Sequence, residues 1–261
     1  MTDGKTRIVI MGSGGSGGVP YSGNVWGKCD PNNPKNKRTR PSIYVTDGTT
    51  KIVVDTSPEF RQQINATGHM GKLDAVLYTH VHADHVAGID DLRALWHSCG
   101  KQPIDVYGTP DVLAELAFRY NYLFETKHAL YPALVTPHVM RPELEIGSMK
   151  IRSFDQEHSI VPTLGFRIGD FVYSTDTLRL PQASFDIIKG CKTWVIGAHV
   201  DDEWSDGGGH AGLNTILKWA DYIKPEQIYL THLNALADYD DLCRKLPAHI
   251  RPAYDGLELF I

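Results

Sequence analysis

The chain has 261 residues, a formal net charge of -5 at pH 7 and a hydrophobic fraction of 42%. This length suits one large layered α/β domain whose core needs no disulfides, and the ordinary composition excludes a disordered or fibrous chain. The acidic balance disfavours general nucleic-acid binding, because such proteins usually carry an excess of basic residues.

Short apolar strands alternate with turns and helices in the first half of the chain. Residues 12–20 form a glycine-rich turn, and 21–41 form a long polar loop. Prolines near the first helical turn mark two of the helix starts. Apolar runs and turn signals predict strands at 7–11, 42–46, 51–55, 74–79 and 104–107, and helices at 57–66, 90–98 and 109–120.

The second half of the chain returns to strands after residues 121–142, an aromatic segment that we leave unassigned. Strands are predicted near 143–155, 163–168, 170–175, 193–197, 227–231 and 257–260, with an amphipathic helix at 212–223. No repeat or linker divides the chain. The pattern therefore predicts a single domain over 1–261, with two mixed sheets packed together and helices outside, four layers in all.

The cysteines and the apolar segments bear on the compartment. Four well-separated cysteines without a CxxC pair indicate reduced thiols: Cys29, Cys99, Cys191 and Cys243. The first residues lack a signal-peptide layout, and no stretch approaches about 18 apolar residues. We therefore expect a cytoplasmic protein that does not contact a membrane.

Residues 79–85 read Thr-His-Val-His-Ala-Asp-His and directly follow a buried strand. Imidazole nitrogen and carboxylate oxygen are ligands of zinc-like cations. Because alternate side chains of a turn point the same way, we expect His80 and His82 to share one metal. Asp84 and His85, past the bend, reach a second metal.

Three further candidate ligands stand at the ends of later predicted strands. His158 lies in DQEHS, Asp176 in YSTDT and His232 in YLTHL. Each residue alone is a weak signal, since a lone histidine is more often a packed core or surface residue. Their shared placement is where open α/β sheets collect functional groups.

This ligand pattern resembles that of the metallo-β-lactamase superfamily over almost the whole chain. The resemblance implies an αββα sandwich that binds two divalent metal ions, zinc or manganese, and it makes Asp84 catalytic as well as a ligand. Two such cations about 3.5–4 Å apart can share a hydroxide that acts as the nucleophile. The implied ligands are His80, His82 and His158 for one metal, Asp84, His85 and His232 for the other, and Asp176 as the bridge.

Three features resemble the branch that contains phosphoribosyl cyclic phosphodiesterases and tRNA 3′-end endonucleases. The first is GSGGSGGVP at 12–20, whose free backbone N–H groups can hold phosphate oxygens. It makes Gly14 and Ser16 substrate-binding candidates, with a tight turn as the alternative. The second is Ala253-Tyr254-Asp255-Gly256, expected near the site. Asp84 separates this sequence from the penicillin-hydrolysing branch, which has a cysteine as a second-site ligand.

The third feature is His210, in GGGHAGL. By resemblance it is catalytic and substrate-binding: it binds phosphate and protonates the leaving oxygen, as an imidazole can. Helix capping is the alternative. His199 is a weaker candidate for the same neighbourhood. The cyclic phosphodiesterases commonly carry a cysteine cluster for a further zinc; here only Cys29 is present, so we expect no third metal.

Segment 118–131 is unusually aromatic. Tyr120 and Tyr122, with Tyr131, are candidates for stacking on a base or sugar; core packing is the alternative. The basic run at 35–40 either attracts a phosphate-bearing substrate or forms a solvated loop.

The leading hypothesis is a metal-dependent phosphodiesterase acting on a small ribose- or nucleotide-containing cyclic phosphodiester. RNA 3′-end processing, hydrolysis of lactones or thioesters, and a non-catalytic metal-binding role remain alternatives. We expect a small phosphate-containing substrate as the partner, disfavour nucleic acid, and leave a homodimer open.

Overall fold

A computed structural model describes residues 5–130 and 132–261. Within them the chain forms fourteen strands and eight α-helices. The strands are β1 Arg7–Gly12, β2 Ser42–Thr46, β3 Lys51–Val54, β4 Ala75–Leu77, β5 Ile104–Gly108, β6 Val135–Val139, β7 Glu143–Ile146, β8 Met149–His158, β9 Val161–Ile168, β10 Phe171–Ser174, β11 Thr193–Gly197, β12 Gln227–Thr231, β13 Ile250–Pro252 and β14 Leu257–Phe260. The helices are α1 Phe60–Ala66, α2 Ala83–Val86, α3 Leu92–Ser98, α4 Pro110–Arg119, α5 Asn121–Phe124, α6 Gln182–Ile188, α7 Leu213–Ile223 and α8 Tyr239–Lys245.

The strands form two seven-stranded mixed sheets. The first has the order β14-β1-β2-β3-β4-β5-β6 and the second β13-β12-β11-β10-β9-β8-β7. In the first sheet, the pairs from β14 to β3 are antiparallel and those from β3 to β6 are parallel. The second sheet is antiparallel from β7 to β10 and parallel from β10 to β13. The predicted pair of mixed sheets is confirmed.

Strand β1 shows why the molecule has four layers. Successive strand side chains point to opposite faces. Ile8 and Ile10 join a core cluster that contains residues from both sheets, whereas Val9 and Met11 join a cluster with residues of the outer helices. A third cluster lies under helices α6, α7 and α8 on the other side. Both sheets are therefore covered by helices outside and by each other inside.

Several elements differ from the expectations. Helix α1 begins at Phe60, because Ser57 and Pro58 lie in a turn closed by the Phe60 N–H donating to the Ser57 carbonyl oxygen at 2.9 Å. The unassigned segment 121–142 contains α5 and β6, and the region near 143–155 is a β7–β8 hairpin. The short elements α2, α6, α8 and β13 were not predicted. Within the described ranges, no helix has both the length and the apolarity needed to cross a bilayer.

Candidate metal centre

The histidine-rich motif runs from the end of β4 into α2 and is fixed against the segment that follows β3. The Thr56 N–H donates to the His85 carbonyl oxygen at 2.7 Å, and the Gly88 N–H donates to the Thr56 carbonyl oxygen at 3.0 Å. A Cβ atom at Gly88 would lie 2.0 Å from the Ser57 carbonyl oxygen. Glycine is therefore required for this close approach, which holds Asp84 and His85 in place.

The seven predicted ligands come together in two clusters that share one residue. In each cluster the candidate ligand atoms lie within 4.8 Å of one another. The clusters are His80, His82, His158 and Asp176, and Asp84, His85, Asp176 and His232. All of these side chains are buried except that of His82, which is half-buried.

The two carboxylate oxygens of Asp176 face different clusters. Its Oδ2 lies 3.6 Å from Nε2 of His80 and 3.8 Å from Nε2 of His158. Its Oδ1 lies 3.3 Å from Nε2 of His85 and 3.4 Å from Nε2 of His232. This division would allow the carboxylate to bind one cation through each of its oxygens.

The histidines present nitrogens suited to a metal. The Nε2 atoms of His80 and His85 are buried, and neither has a hydrogen-bond partner among residues 5–130 and 132–261. The Nδ1 atoms of two of the histidines are occupied. That of His85 lies 2.7 Å from Oδ2 of Asp55, and that of His158 lies 2.7 Å from the Gly209 carbonyl oxygen. Such partners orient metal-binding imidazoles and fix their tautomer. The donor set therefore fits divalent cations.

Asp55 was not singled out from the sequence. Besides His85, it accepts hydrogen bonds from the Thr79 N–H at 2.9 Å and the Thr79 hydroxyl at 2.8 Å. The signal was an aspartate directly after an apolar strand, in VVDTS. Asp55 thus connects the end of β3 to the histidine-rich motif.

The protonation states also favour metal binding. Burial raises the pKa of the Asp84 carboxyl, but the hydrogen bond to His232 and the nearby His85 imidazole outweigh burial and lower the pKa below its ordinary value. Asp176 behaves likewise: burial opposes ionisation, whereas the charges of His232 and His85 hold its pKa well below the usual range. Burial lowers the pKa of His80, so this imidazole is neutral at pH 7 and can offer a lone pair. Two ionised carboxylates beside the neutral His80 imidazole attract cations.

Three residues of the centre have left-handed backbone conformations. The φ angles of Asp55, Asp176 and His232 are 61°, 49° and 56°. Such conformations are uncommon for residues other than glycine and cost of order 1–3 kcal/mol in strained cases. Each residue follows the end of a strand, where the turn directs its side chain toward the centre.

The glycine-rich loop is tied to the end of the chain by Asp255. Its Oδ1 accepts from the N–H and the hydroxyl of Ser13 at 2.9 and 2.8 Å, and its Oδ2 accepts from the N–H and the hydroxyl of Thr39 at 2.7 and 2.6 Å. A Cβ at Gly15 would lie 3.3 Å from the His232 ring. The AYDG stretch thus supports the loop that packs on a candidate ligand.

Gly14 and Ser16 occupy different environments. The Gly14 N–H donates to the Thr39 carbonyl oxygen at 2.8 Å, so it is not free to hold a phosphate. Ser16 is exposed and lines a cavity of about 280 Å³ beside the candidate ligands. The lining residues are Gly15, Ser16, Gly17, Tyr21, Ala198, His199, Gly208, His210, His232 and Asn234.

His210 lies between the ligand clusters and this cavity. Its ring centroid is 4.5 Å from that of His158 and 4.5 Å from that of His232. Burial and the neighbouring His232 lower the pKa of His210 to about 3. The imidazole is therefore neutral at pH 7 and has one N–H to donate. The weaker candidate His199 lines the same cavity.

The aromatic candidates do not line the cavity. Tyr122 donates its hydroxyl to Asp90 at 3.0 Å and lines a separate pocket with Arg93. Tyr120 is half-buried and packs against the core under the outer helices of the first sheet. Core packing, the alternative use, fits Tyr120; the prediction for residue 131 lies outside the described residues. Tyr21 is the tyrosine that lines the cavity, and it was not predicted from the sequence.

Basic residues of the loop at 35–40 are engaged within the protein. Lys35 donates to the Tyr239 hydroxyl at 3.2 Å, and Arg40 pairs with Glu59 at 2.7 Å. Arg38 is buried beside Cys29, at 3.7 Å from its sulfur. These three cations support the loop and do not form a free phosphate-attracting face.

Residues 50–233 match the family described as Beta-lactamase superfamily domain. The chain belongs to the metallo-β-lactamase superfamily. The resemblance inferred from the motif is thus confirmed, and membership implies a metal-dependent hydrolase that binds divalent metal.

Among solved structures, the superfamily member described as a new diphosphatase from the PhnP family superposes with a TM-score of 0.87 at 28% identity, covering 98% of this chain and 97% of that chain. The short form of human tRNase Z superposes with a TM-score of 0.70 at 16% identity, covering 97% and 98%. This second likeness concerns the fold alone.

An octanoyltransferase of Porphyromonas gingivalis is 33% identical over 265 residues, which cover 98% of this chain and 51% of that protein. The chain spans about half the length, or less, of the curated relatives it matches.

Proposed function

We propose that the protein is a dinuclear metal-dependent phosphodiesterase acting on a small ribose- or nucleotide-containing phosphodiester. The observation that carries the proposal is Asp176, whose two oxygens face two separate groups of histidines. One cation would be held by His80, His82 and His158 with Asp176, and the other by Asp84, His85 and His232 with Asp176.

The roles of the side chains follow from their positions. When bound, the two cations supply a nucleophile from water at neutral pH and offset negative charge on phosphate oxygens. His210 adjoins both clusters and the cavity, so its N–H can donate to the leaving oxygen as charge develops there. Ser16, which lines the same cavity, can donate its hydroxyl to a phosphate oxygen.

The similarity to a diphosphatase of the PhnP family favours phosphate chemistry. The cavity also suits a small molecule, since its volume of about 280 Å³ lies just below the ~300–1,000 Å³ range of small-molecule sites. A polymeric RNA substrate would need a basic surface, and the net charge of -5 disfavours one.

Hydrolysis of an acyl ester or thioester is the second candidate. It is favoured by the Porphyromonas gingivalis octanoyltransferase, half of which matches this chain. The cavity lining opposes it, because an octanoyl chain needs apolar walls and Ala198 is the one aliphatic side chain among the described residues that line the cavity.

A substrate panel tests the proposal. Protein reconstituted separately with zinc and with manganese is assayed on methyl p-nitrophenyl phosphate, a cyclic nucleotide, a lactone and an octanoyl thioester. We expect turnover of the phosphodiesters, lost after chelation and restored by adding metal back. Turnover of the thioester or the lactone without the diesters would contradict the proposal and leave the metal centre in place.

A further inference from the structure

We infer that the cavity beside the ligand clusters binds one neutral ring, the sugar or base of a single nucleotide, and that Tyr21 is the residue that recognises it. This inference rests on the proposed function, because the phosphate of the same molecule would lie at the clusters. Tyr21 lines the cavity together with Ser16, His210 and Asn234.

The Tyr21 ring is held in place on the glycine-rich loop. A Cβ at Gly17 would lie 2.7 Å from Cδ1 of the ring, so the ring lies directly on the glycine backbone. The Tyr21 hydroxyl accepts from the Ala235 N–H at 3.3 Å, and its backbone pairs with that of Val25. An aromatic side chain positioned in advance loses little conformational entropy when a ligand binds.

The cavity lining is suited to an uncharged group. None of the described residues that line it is Lys, Arg, Asp or Glu, so a second phosphate would find no ammonium or guanidinium partner there. Asn234 is held by its side-chain amide donating to the Val200 carbonyl oxygen at 2.8 Å. Its amide oxygen accepts from the Leu236 N–H at 2.9 Å. The polar wall is therefore fixed as well.

The part of the Tyr21 ring that stays exposed is available for stacking on a ligand. Tyr21 is 38% exposed although its ring lies on Gly17 and its hydroxyl is engaged. The contribution of base stacking to binding is typically lost in part or in full when the aromatic side chain is replaced by alanine. The cavity volume of about 280 Å³ suits a group of the size of one nucleoside.

Calorimetric titration of AMP and of orthophosphate into manganese-loaded protein tests the inference. We expect Tyr21→Ala to weaken AMP binding roughly 5- to 140-fold, equivalent to about 1–3 kcal/mol at tenfold per 1.4 kcal/mol. Orthophosphate binding stays unchanged. Tyr21→Phe keeps the ring and should bind AMP with close to wild-type affinity. Tyr122→Ala, the matched aromatic control outside the cavity, should bind both ligands as the wild type does.

Three outcomes overturn the inference: Tyr21→Ala binds AMP like the wild type, it loses AMP and orthophosphate equally, or Tyr122→Ala loses as much AMP affinity. Failure of the proposed function is distinguishable. In that case the wild-type protein does not hydrolyse methyl p-nitrophenyl phosphate, whereas the dependence of AMP binding on Tyr21 is still measured.

Discussion

Replacing Asp176 with asparagine should reduce phosphodiester turnover by about 10³-fold or more, equivalent to the several kcal/mol of charge stabilisation that a metal site supplies. The side chain keeps its size but loses the negative charge shared by both clusters, where each oxygen lies 3.3–3.8 Å from two histidine nitrogens. Two dications close together repel each other, and this carboxylate offsets the repulsion. Metal content should therefore fall at both sites.

Asparagine is the informative substitution because the backbone at position 176 has a φ of 49°. Asparagine tolerates this left-handed region better than alanine does, so a folded variant is expected. Asp170→Ala is the matched control, because Asp170 precedes the same strand, β10, and pairs with Lys192 at the surface. Retention of two metals and of wild-type turnover in Asp176→Asn would show that Asp176 is not shared.

Replacing His210 with alanine should lower turnover by roughly 10²–10⁴-fold, the usual range for losing a group that assists proton movement in the transition state. Metal content should be unchanged, since His210 is not among the clustered ligands. In the proposed role, its N–H donates to the leaving oxygen and stabilises the charge that develops there. Substrates that release p-nitrophenolate should thus lose less activity than those that release an alkoxide.

The control for this variant is His138→Ala. His138 bonds Asp105 and stacks on Tyr107 at the edge strand of the first sheet, so its loss should leave turnover near the wild-type value. An equal loss for both leaving groups in His210→Ala would assign His210 to binding the phosphate instead. Loss of metal from the variant would contradict the separation between His210 and the ligands.

Most of the candidate metal ligands could be recognised from sequence because they follow apolar runs, whereas His158 ends the amphipathic strand β8. The HVHADH motif follows β4, and Asp176 and His232 follow β10 and β12. Hydrophobic periodicity locates such strands, and the parallel pairs β10–β11 and β11–β12 bring their ends to one edge. The same reasoning located most strands of both sheets.

The cavity could not be predicted in this way. Tyr21 lies in an irregular polar loop, where no hydrophobic periodicity indicates which way a side chain points. Its position also depends on the absence of a side chain at Gly17. Tyr122 was an equally suitable stacking candidate from the sequence, but its hydroxyl donates a hydrogen bond to Asp90 at a different surface. Asp55 and Asp255 act through contacts with residues 24 or more positions away, which spacing along the chain does not reveal.

The metal content of the wild-type chain tests the central claim most directly. After reconstitution with zinc or manganese and removal of loosely bound ions, elemental analysis should find about two ions per chain. The reason is that seven side chains converge there with Asp176 common to both groups, more than one tetrahedral site uses. One tightly held ion per chain, with the cluster of Asp84, His85 and His232 left without an ion of its own, would contradict the dinuclear centre.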